Sequence, residues 1–345
     1  MELKKINEFY NKNYKLILLL PLLIILISLA YLGYFYSQNN DFVHRDISLT
    51  GGTTITILSN ISSEELQTAL AEKIPNMDTR ALLDNSGKQT QIIIITSEEP
   101  ELVTPILEDY FGFKLDETNT SVEFIGSSLS ADFYKQLGIT VLIAFFWMAA
   151  VVFVIFAKKW KLKFIAILLN LLFGIFLGKM FFSFPIYISL FILATFIITL
   201  IFIYLKYSIP SFAVMLCAFA DIIMTLAVVD IIGMKVAGAG IVAFLMLIGY
   251  SVDTDILLTT RVLTRKDSPV NHEIFSAFKT GITMTLTAIA AIAVALFFVR
   301  PFGTVLNQMF IILLIGLTLD IFNTWITNTC LIKWFAERTA EESRL

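Results

Sequence analysis

The stretch LIGYSVDTDILLTTRVLTRK, residues 247–266, decides how the chain is organised. It begins inside an apolar run, carries two carboxylates, Asp253 and Asp255, where that run ends, and continues into a basic cluster that includes Arg261. A carboxylate near membrane depth is costly and is usually functional, and a basic cluster after an apolar run indicates the cytoplasmic side. The alternative is that these charges are only the solvated end of a transmembrane helix. The position of the charges alone favours neither interpretation.

The composition is that of a membrane protein. The chain has 345 residues, of which 57% are hydrophobic, above the usual fraction in soluble domains. The net charge of −3 gives no indication of a nucleic-acid partner. The sequence has two cysteines and two histidines and contains no HExxH or CxxC motif. We therefore expect no metal or other cofactor and no enzymatic activity.

Eight apolar runs are long enough to cross a bilayer. They lie at residues 16–36, 137–157, 164–183, 185–204, 210–229, 236–252, 281–299 and 305–332. The segments expected on the cytoplasmic side are 1–15, 158–163, the loop 254–279 and the tail 334–345, and these carry most of the lysines and arginines of the membrane part. By the positive-inside rule, both termini are then cytoplasmic.

Residues 38–136 differ in composition and are predicted to form one domain outside the membrane. This segment has sixteen acidic residues against six lysines and arginines. Strands are predicted at 53–58, 79–84, 89–96 and 121–125, and helices at 62–74 and 98–111. The order βαββαβ is that of a ferredoxin-like α+β domain. The fold class is therefore a polytopic α-helical membrane protein with one extracytoplasmic ferredoxin-like domain.

Gly51 and Gly52 precede the first predicted strand of this domain. They favour either a fixed backbone bend between membrane helix and domain or an ordinary glycine turn.

The most prominent polar residue in an apolar run is Asp221. It is about eleven residues into its span, which at ~1.5 Å per residue puts it roughly 16 Å deep, near the membrane midplane. A charge at that depth needs a partner, a water-filled cavity or a subunit interface. We interpret Asp221 as a proton carrier, with a protonated aspartate that only orients helices as the alternative.

Two further groups of polar residues lie in or near the spans. Asp320 and Asn323 belong to a polar stripe in the last span, for which interhelical hydrogen bonding is at least as good an explanation as proton coupling. Asp253 and Asp255 are two residues apart, so on one helix they diverge by about 200° and cannot form one site. One of them is expected to pair with Arg261.

Several stretches resemble the SecF family of protein-export membrane proteins in its archaeal form. They are TGGT at 50–53, SIPSFAV at 208–214, AFADI at 218–222 and, above all, residues 247–263, which contain Gly249, Tyr250 and Ser251. The resemblance implies a six-span core with a ferredoxin-like domain after the first span, and a kinship with RND transporters. It further implies a complex with SecD and a role beside the SecY channel late in the translocation of a polypeptide.

In that family, core carboxylates are linked to use of the proton gradient. By resemblance, Asp221 falls at the family's core-helix acid, and Asp253, Asp255 and Arg261 fall at its Gly-Tyr-Ser signature. The chain departs from the family pattern at 158–207, which we interpret as an inserted transmembrane hairpin preceding the four-helix core at 208–333. The alternatives to an export subunit are an RND-type transporter of a small solute or lipid and a structural scaffold for SecD.

Overall fold

The fold is described from a computed structural model that covers residues 12–83, 88–116, 118–180, 183–265, 268–299 and 305–342. The last residue of the strand predicted at 79–84, the turn predicted at 85–87, most of the lysine-rich segment 1–15, Lys266 of the basic cluster and the end of the tail at 343–345 lie outside the described residues.

Between its first two long helices the chain forms a small α/β domain. The elements are α1 (Leu19–Asn39), α2 (Ile47–Thr50), β1 (Gly52–Leu58), α3 (Ser63–Leu70), β2 (Asp78–Leu83), β3 (Gln89–Thr96), α4 (Pro100–Phe111) and β4 (Thr120–Ile125). The four strands form an antiparallel sheet in the order β2-β3-β1-β4. The four predicted strands are found within one residue of their expected bounds. The first helix ends at Leu70 rather than at residue 74.

The core of this domain follows from strand alternation. Ile55 and Ile57 on β1 pair directly with Ile94 and Ile92 on β3. All four side chains are fully buried, because successive residues of a strand face opposite sides of the sheet and this side is covered by α3 and α4. Ser62 caps α3: its hydroxyl accepts a hydrogen bond from the amide of Glu65 at 3.1 Å.

The remaining elements are long helices. They are α5 (Ser127–Phe156), α6 (Trp160–Ile175), α7 (Ile186–Tyr207), α8 (Ile209–Ile231), α9 (Gly238–Thr264), α10 (Val270–Val299), α11 (Val305–Phe322) and α12 (Thr329–Glu342). Helix α6 continues into a π-helical turn at Phe176–Met180, and a second π-helical segment, Asn323–Asn328, joins α11 to α12. Within the described residues, eight helices are long and apolar enough to cross a membrane.

Helix α9 differs from the sequence-based expectation. The sequence predicts a loop at 254–279, but α9 runs on to Thr264 and α10 begins at Val270. The reason is burial: Leu258 and Val262 are one turn apart and pack with Ala277 and Ile332. The same turns of α9 carry charged residues, which indicate a loop in the sequence, and buried apolar residues. Burial of the apolar residues stabilises the helix beyond the end of the continuous apolar run.

The hairpin of α6 and α7 packs against α5. Phe146 and Phe153 of α5 are buried against Phe173 and Tyr204 of the hairpin. The outer faces of α6 and α7 leave large apolar side chains exposed, such as Phe164 and Phe191, as expected for helices that face lipid.

Gly51 and Gly52 adopt conformations that other residues rarely adopt. Their φ angles are +85° and +144°. A Cβ atom on Gly51 would lie 2.5 Å from the Cα and 2.7 Å from the amide nitrogen of Ser127, the first residue of α5, and one on Gly52 would collide with the carbonyl oxygen of Thr96. The backbone at these two positions therefore requires glycine, and this bend lies where the chain both enters and leaves the α/β domain.

We expect Gly51→Ala to lower the free energy of unfolding by at least about 2 kcal/mol, because strain at positive φ adds to a collision with backbone that cannot move aside. Thermal unfolding of the purified full chain measures this. Gly112→Ala is the matched control, since Gly112 also has a positive φ of 74° but has open space where a Cβ atom would lie. A Gly51→Ala loss no larger than the roughly 1 kcal/mol expected of the control would contradict the interpretation.

The α/β domain contacts the turn between α8 and α9. Lys235 of that turn lies 3.1 Å from a carboxylate oxygen of Asp78 on β2. Nearby, the amide of Val236 donates to the carbonyl of His44, and the amide of Asp46 donates to the carbonyl of Val236 at 2.9 Å. The turn thus holds the domain to the membrane helices through backbone hydrogen bonds and through the Lys235–Asp78 ion pair.

Burial raises the pKa of Asp78, but the hydrogen bond and charge of Lys235, helped by Arg80, outweigh it and leave that pKa below its ordinary value. A lowered folded-state pKa contributes stability above the ordinary pKa of about 3.9, and this contribution is lost as the pH falls through the lowered value. We expect the thermal midpoints of wild type and Asp78→Asn to differ near neutral pH and to converge as the pH falls through the lowered pKa of Asp78. A gap that persists at low pH would contradict the assignment.

Candidate functional site: a buried carboxylate cluster

Asp221 of α8 lies where three helices meet. Its side chain is 1% exposed. Its two oxygens accept hydrogen bonds from different helices: the hydroxyl of Ser251 on α9 donates at 2.5 Å, and the amide of Asn323 after α11 donates at 2.6 Å. One carboxylate therefore links α8 to both of its neighbours.

Asp255 is the second buried carboxylate, one turn beyond Ser251 on α9. Its Oδ1 accepts hydrogen bonds from the hydroxyl of Thr324 at 2.9 Å and from the amide of Asn328 at 2.8 Å. Thr324 also lies 3.1 Å from Oδ1 of Asp320, so its single hydroxyl proton is shared between two carboxylates. Asp320 in turn interacts electrostatically with Asp221. We call Asp221, Asp255 and Asp320 the carboxylate cluster.

The π-helical segment Asn323–Asn328 supplies most of the donors. Asn323, Thr324, Thr327 and Asn328 are all fully buried. The wider π-helical turn changes the angular position of successive side chains, and single turns of this kind are frequent at functional sites. The hydroxyl of Thr329 donates to the carbonyl of Thr324 at 3.0 Å, five residues earlier, which supplies a hydrogen bond to the backbone of this irregular segment.

Among the described residues, the cluster has no compensating cation. In the described part of the chain, no ion pair involves any of its three carboxylates. The second oxygens of Asp255 and Asp320 are buried and have no hydrogen-bond partner among the described residues. Three buried negative charges without a cation would cost many kcal/mol. Chemically, the cluster is therefore suited to bind protons, and each bound proton turns an acceptor into a donor between α8, α9 and α11.

The other predicted residues lie apart from the cluster. Asp253 is exposed on the opposite side of α9 from the fully buried Asp255, as the 200° separation predicts. Arg261 pairs with neither aspartate; its guanidinium donates to the backbone and hydroxyl oxygens of Ser276 at 2.9 and 3.1 Å. Gly249 and Tyr250 are also exposed.

The sequence leaves two features of the site open. It makes Asp255 a candidate without deciding between a functional carboxylate and a solvated helix end, and it assigns no role to Asn328. The residues Asp320, Thr324 and Asn328 are spaced by four, which on a helix places them on one face, and this signal could have connected them with an acid on a neighbouring helix. Among the described residues, no group of three His, Cys, Asp or Glu side chains could hold a metal ion.

The long apolar helices, the α/β domain between the first two and the buried carboxylate cluster define a polytopic membrane protein. Residues 174–338 match the family model of the C-terminal part of the protein export membrane proteins SecD and SecF. This segment contains every residue of the carboxylate cluster and its donors. Over this segment, just under half of the chain, the protein is similar to the SecD and SecF protein-export membrane proteins.

Relatives named protein-export membrane protein SecF match nearly the whole chain. The relative from Methanocaldococcus jannaschii is 29% identical over 328 residues, covering 94% of this chain and 96% of its own. That from Pyrococcus furiosus is 27% identical over 343 residues, covering 98% of this chain and 97% of its own. A third, from Methanolacinia petrolearia, is 44% identical over 140 residues, 40% of this chain and 49% of its own.

A solved structure has the same fold. It is SecDF, a translocon-associated membrane protein from Thermus thermophilus, with a TM-score of 0.58 and 16% sequence identity. The match covers 94% of this chain but 38% of the SecDF chain. At 16% identity, the similarity supports a shared fold and does not transfer the roles of individual residues.

We expect Asn323→Leu to destabilise the helix packing by about 1–2 kcal/mol, because Oδ1 of Asp221 would lose its donor while remaining buried. Thermal unfolding in detergent is the measurement. Thr318→Val is the control: Thr318 is exposed on α11, and its hydroxyl donates only within its own helix, to the carbonyl of Leu314. Equal effects of the two substitutions would show that the Asn323–Asp221 hydrogen bond contributes nothing.

Proposed function

We propose that the protein is an accessory subunit of the protein-export machinery that acts with a SecD partner beside the SecY channel late in translocation. In this proposal the carboxylate cluster couples the movement of the α/β domain to protons that cross the membrane. The observation that carries the proposal is the hydrogen bonding of Asp221 to both α9 and the segment after α11. A proton that binds or leaves this cluster changes how three helices are held together.

The outer connections of these helices offer a path from the cluster to the domain. Helices α8 and α9 are joined by the turn that contains Lys235 and Val236, and this turn contacts Asp78, His44 and Asp46. Gln308, near the start of α11, accepts a hydrogen bond from the amide of Ala237 at 2.8 Å. A change in helix packing at the cluster would therefore alter the contacts between this turn and the α/β domain.

Association with SecD is supported by the likeness to SecDF and by the surface of α9. One face of α9 presents Val242, Met246, Gly249, Tyr250 and Asp253, spaced as one helical stripe and exposed in this chain. A small residue between apolar neighbours suits the close approach of a helix from another protein. We place the contact with SecD on this stripe.

The same proposal includes the orientation and the fold class of the domain. The lysines and arginines of the segments around 158–163 and 261–265 support a cytoplasmic location of these ends. In the proposal both termini are then inside and the α/β domain is outside. The sheet order β2-β3-β1-β4, with α3 and α4 on one side, supports a ferredoxin-like classification. On the outer side of the membrane, the domain would contact the translocating polypeptide.

Asp221→Asn tests the coupling. Asparagine has nearly the same shape but binds no proton, so the variant should assemble and yet lose the part of export that depends on the gradient. The full chain is reconstituted in vesicles with the SecD partner and the channel, and export of a substrate protein is measured with and without an imposed proton gradient. We expect the rate with a gradient to fall to the rate without one. Glu342→Gln is the control, since that carboxylate is exposed at the end of α12, away from the cluster and from the proposed contact with SecD.

Three outcomes would contradict the proposal. Normal gradient-dependent export by Asp221→Asn would exclude proton coupling through this residue and would favour a scaffold for SecD. Loss of export in both variants to the same extent would show that the cluster has no special role. Failure of wild type to co-purify with the SecD partner, with export unaffected by its removal, would favour a transporter of a small solute or lipid.

A further inference from the structure

We propose that an apolar cavity at the domain end of the membrane helices binds the hydrocarbon chain of an anionic lipid. The cavity has a volume of about 400 Å³ and lies between α5, α8 and α9, with the end of α6 on one side. Gly138 and Leu142 of α5, Ile222 of α8 and Ile241 of α9 are among the residues that line it. The segment between α1 and α2 covers its outer end with Phe42 and Val43.

The wall of the cavity suits hydrocarbon and does not suit water. An ordered water needs two to four polar partners, and apolar cavities stay dry. Tyr134, one of the polar side chains in the lining, already donates its hydroxyl to Asp41 at 2.7 Å. A protein that spans a membrane meets hydrocarbon at high concentration, and roughly 300–1,000 Å³ is the usual size of small-molecule sites.

A single hydrocarbon chain is narrow enough to occupy a cavity of this volume. A flexible lipid chain can enter a space of that volume from the side.

Gly138 forms part of the cavity by having no side chain. A Cβ atom built on it would meet no atom within 4 Å. Glycine in the middle of a helix costs about 1 kcal/mol relative to alanine, so its presence in the long helix α5 is not explained by helix stability. We expect a larger side chain at this position to occupy part of the cavity.

Lys135 gives the cavity a charged mouth. It lies about one turn before Gly138 on α5 and also lines the cavity. Its ammonium group is 3.6 Å from the carboxylate of Asp132, but both side chains are more than half exposed, and such a pair is worth little. The ammonium can also interact with the phosphate of a lipid whose chain occupies the cavity. In a zwitterionic lipid the headgroup's own cation neutralises that phosphate, so the positive charge of Lys135 favours an anionic headgroup.

The test uses the purified full chain in vesicles that contain a photoactivatable phosphatidylglycerol with a diazirine near the end of one chain. After illumination, labelled residues are mapped by mass spectrometry. We expect labelling at Leu142, Ile222 and Ile241, and a drop of at least about fivefold at these residues in Gly138→Phe. Gly33→Phe is the control, because Gly33 is a helical glycine of α1 that also has open space around it but lies outside the cavity.

Each result decides for or against the site. Unchanged labelling of the three residues in Gly138→Phe would overturn it, as would labelling no stronger there than at exposed apolar residues such as Phe191. For the headgroup, we expect the phosphatidylglycerol probe to label the cavity more than the matching phosphatidylcholine probe, and Lys135→Gln to remove the difference. Equal labelling by the two lipids in wild type would overturn the assignment of an anionic headgroup.

Discussion

The arrangement of the membrane helices depends on the cost of placing carboxyl groups away from water. Asp221, Asp255 and Asp320 are all at most 1% exposed. Such groups persist only where neighbouring side chains supply hydrogen bonds. Ser251, Asn323, Thr324 and Asn328 meet that requirement from two other helices, so the polar groups fix which helices are neighbours and at what depth they meet.

The irregular backbone of the last span is part of the same solution. Four buried polar side chains, Asn323, Thr324, Thr327 and Asn328, fall within two turns of this span. The π-helical segment Asn323–Asn328 places two pairs of them inward, and the carbonyl of Thr324 accepts hydrogen bonds from both the amide and the hydroxyl of Thr329. The π-helical backbone and the supply of donors to the carboxylates are thus two aspects of one feature.

The sequence predicts the elements better than it predicts their contacts. Strand alternation locates β1 and β3, and apolar runs locate the long helices, because both signals are local. The end of α9 is different: Leu258 and Val262 look like isolated apolar residues in a charged segment until Ala277 and Ile332 are known to cover them. Likewise, helical geometry separates Asp253 from Asp255, but only the packing of α9 against α11 shows which of the two is buried.

The bend at Gly51 and Gly52 also has a consequence for the evolution of such proteins. Gly51 touches Ser127, so the chain leaves the membrane helices and returns to them at one point. An insertion whose two ends adjoin leaves the parent fold unbroken, which is the condition under which domains are gained or exchanged. Here the contact at the turn around Lys235 adds a second point of attachment. A replacement domain would therefore need a matching acid at the position of Asp78 to be held in the same orientation.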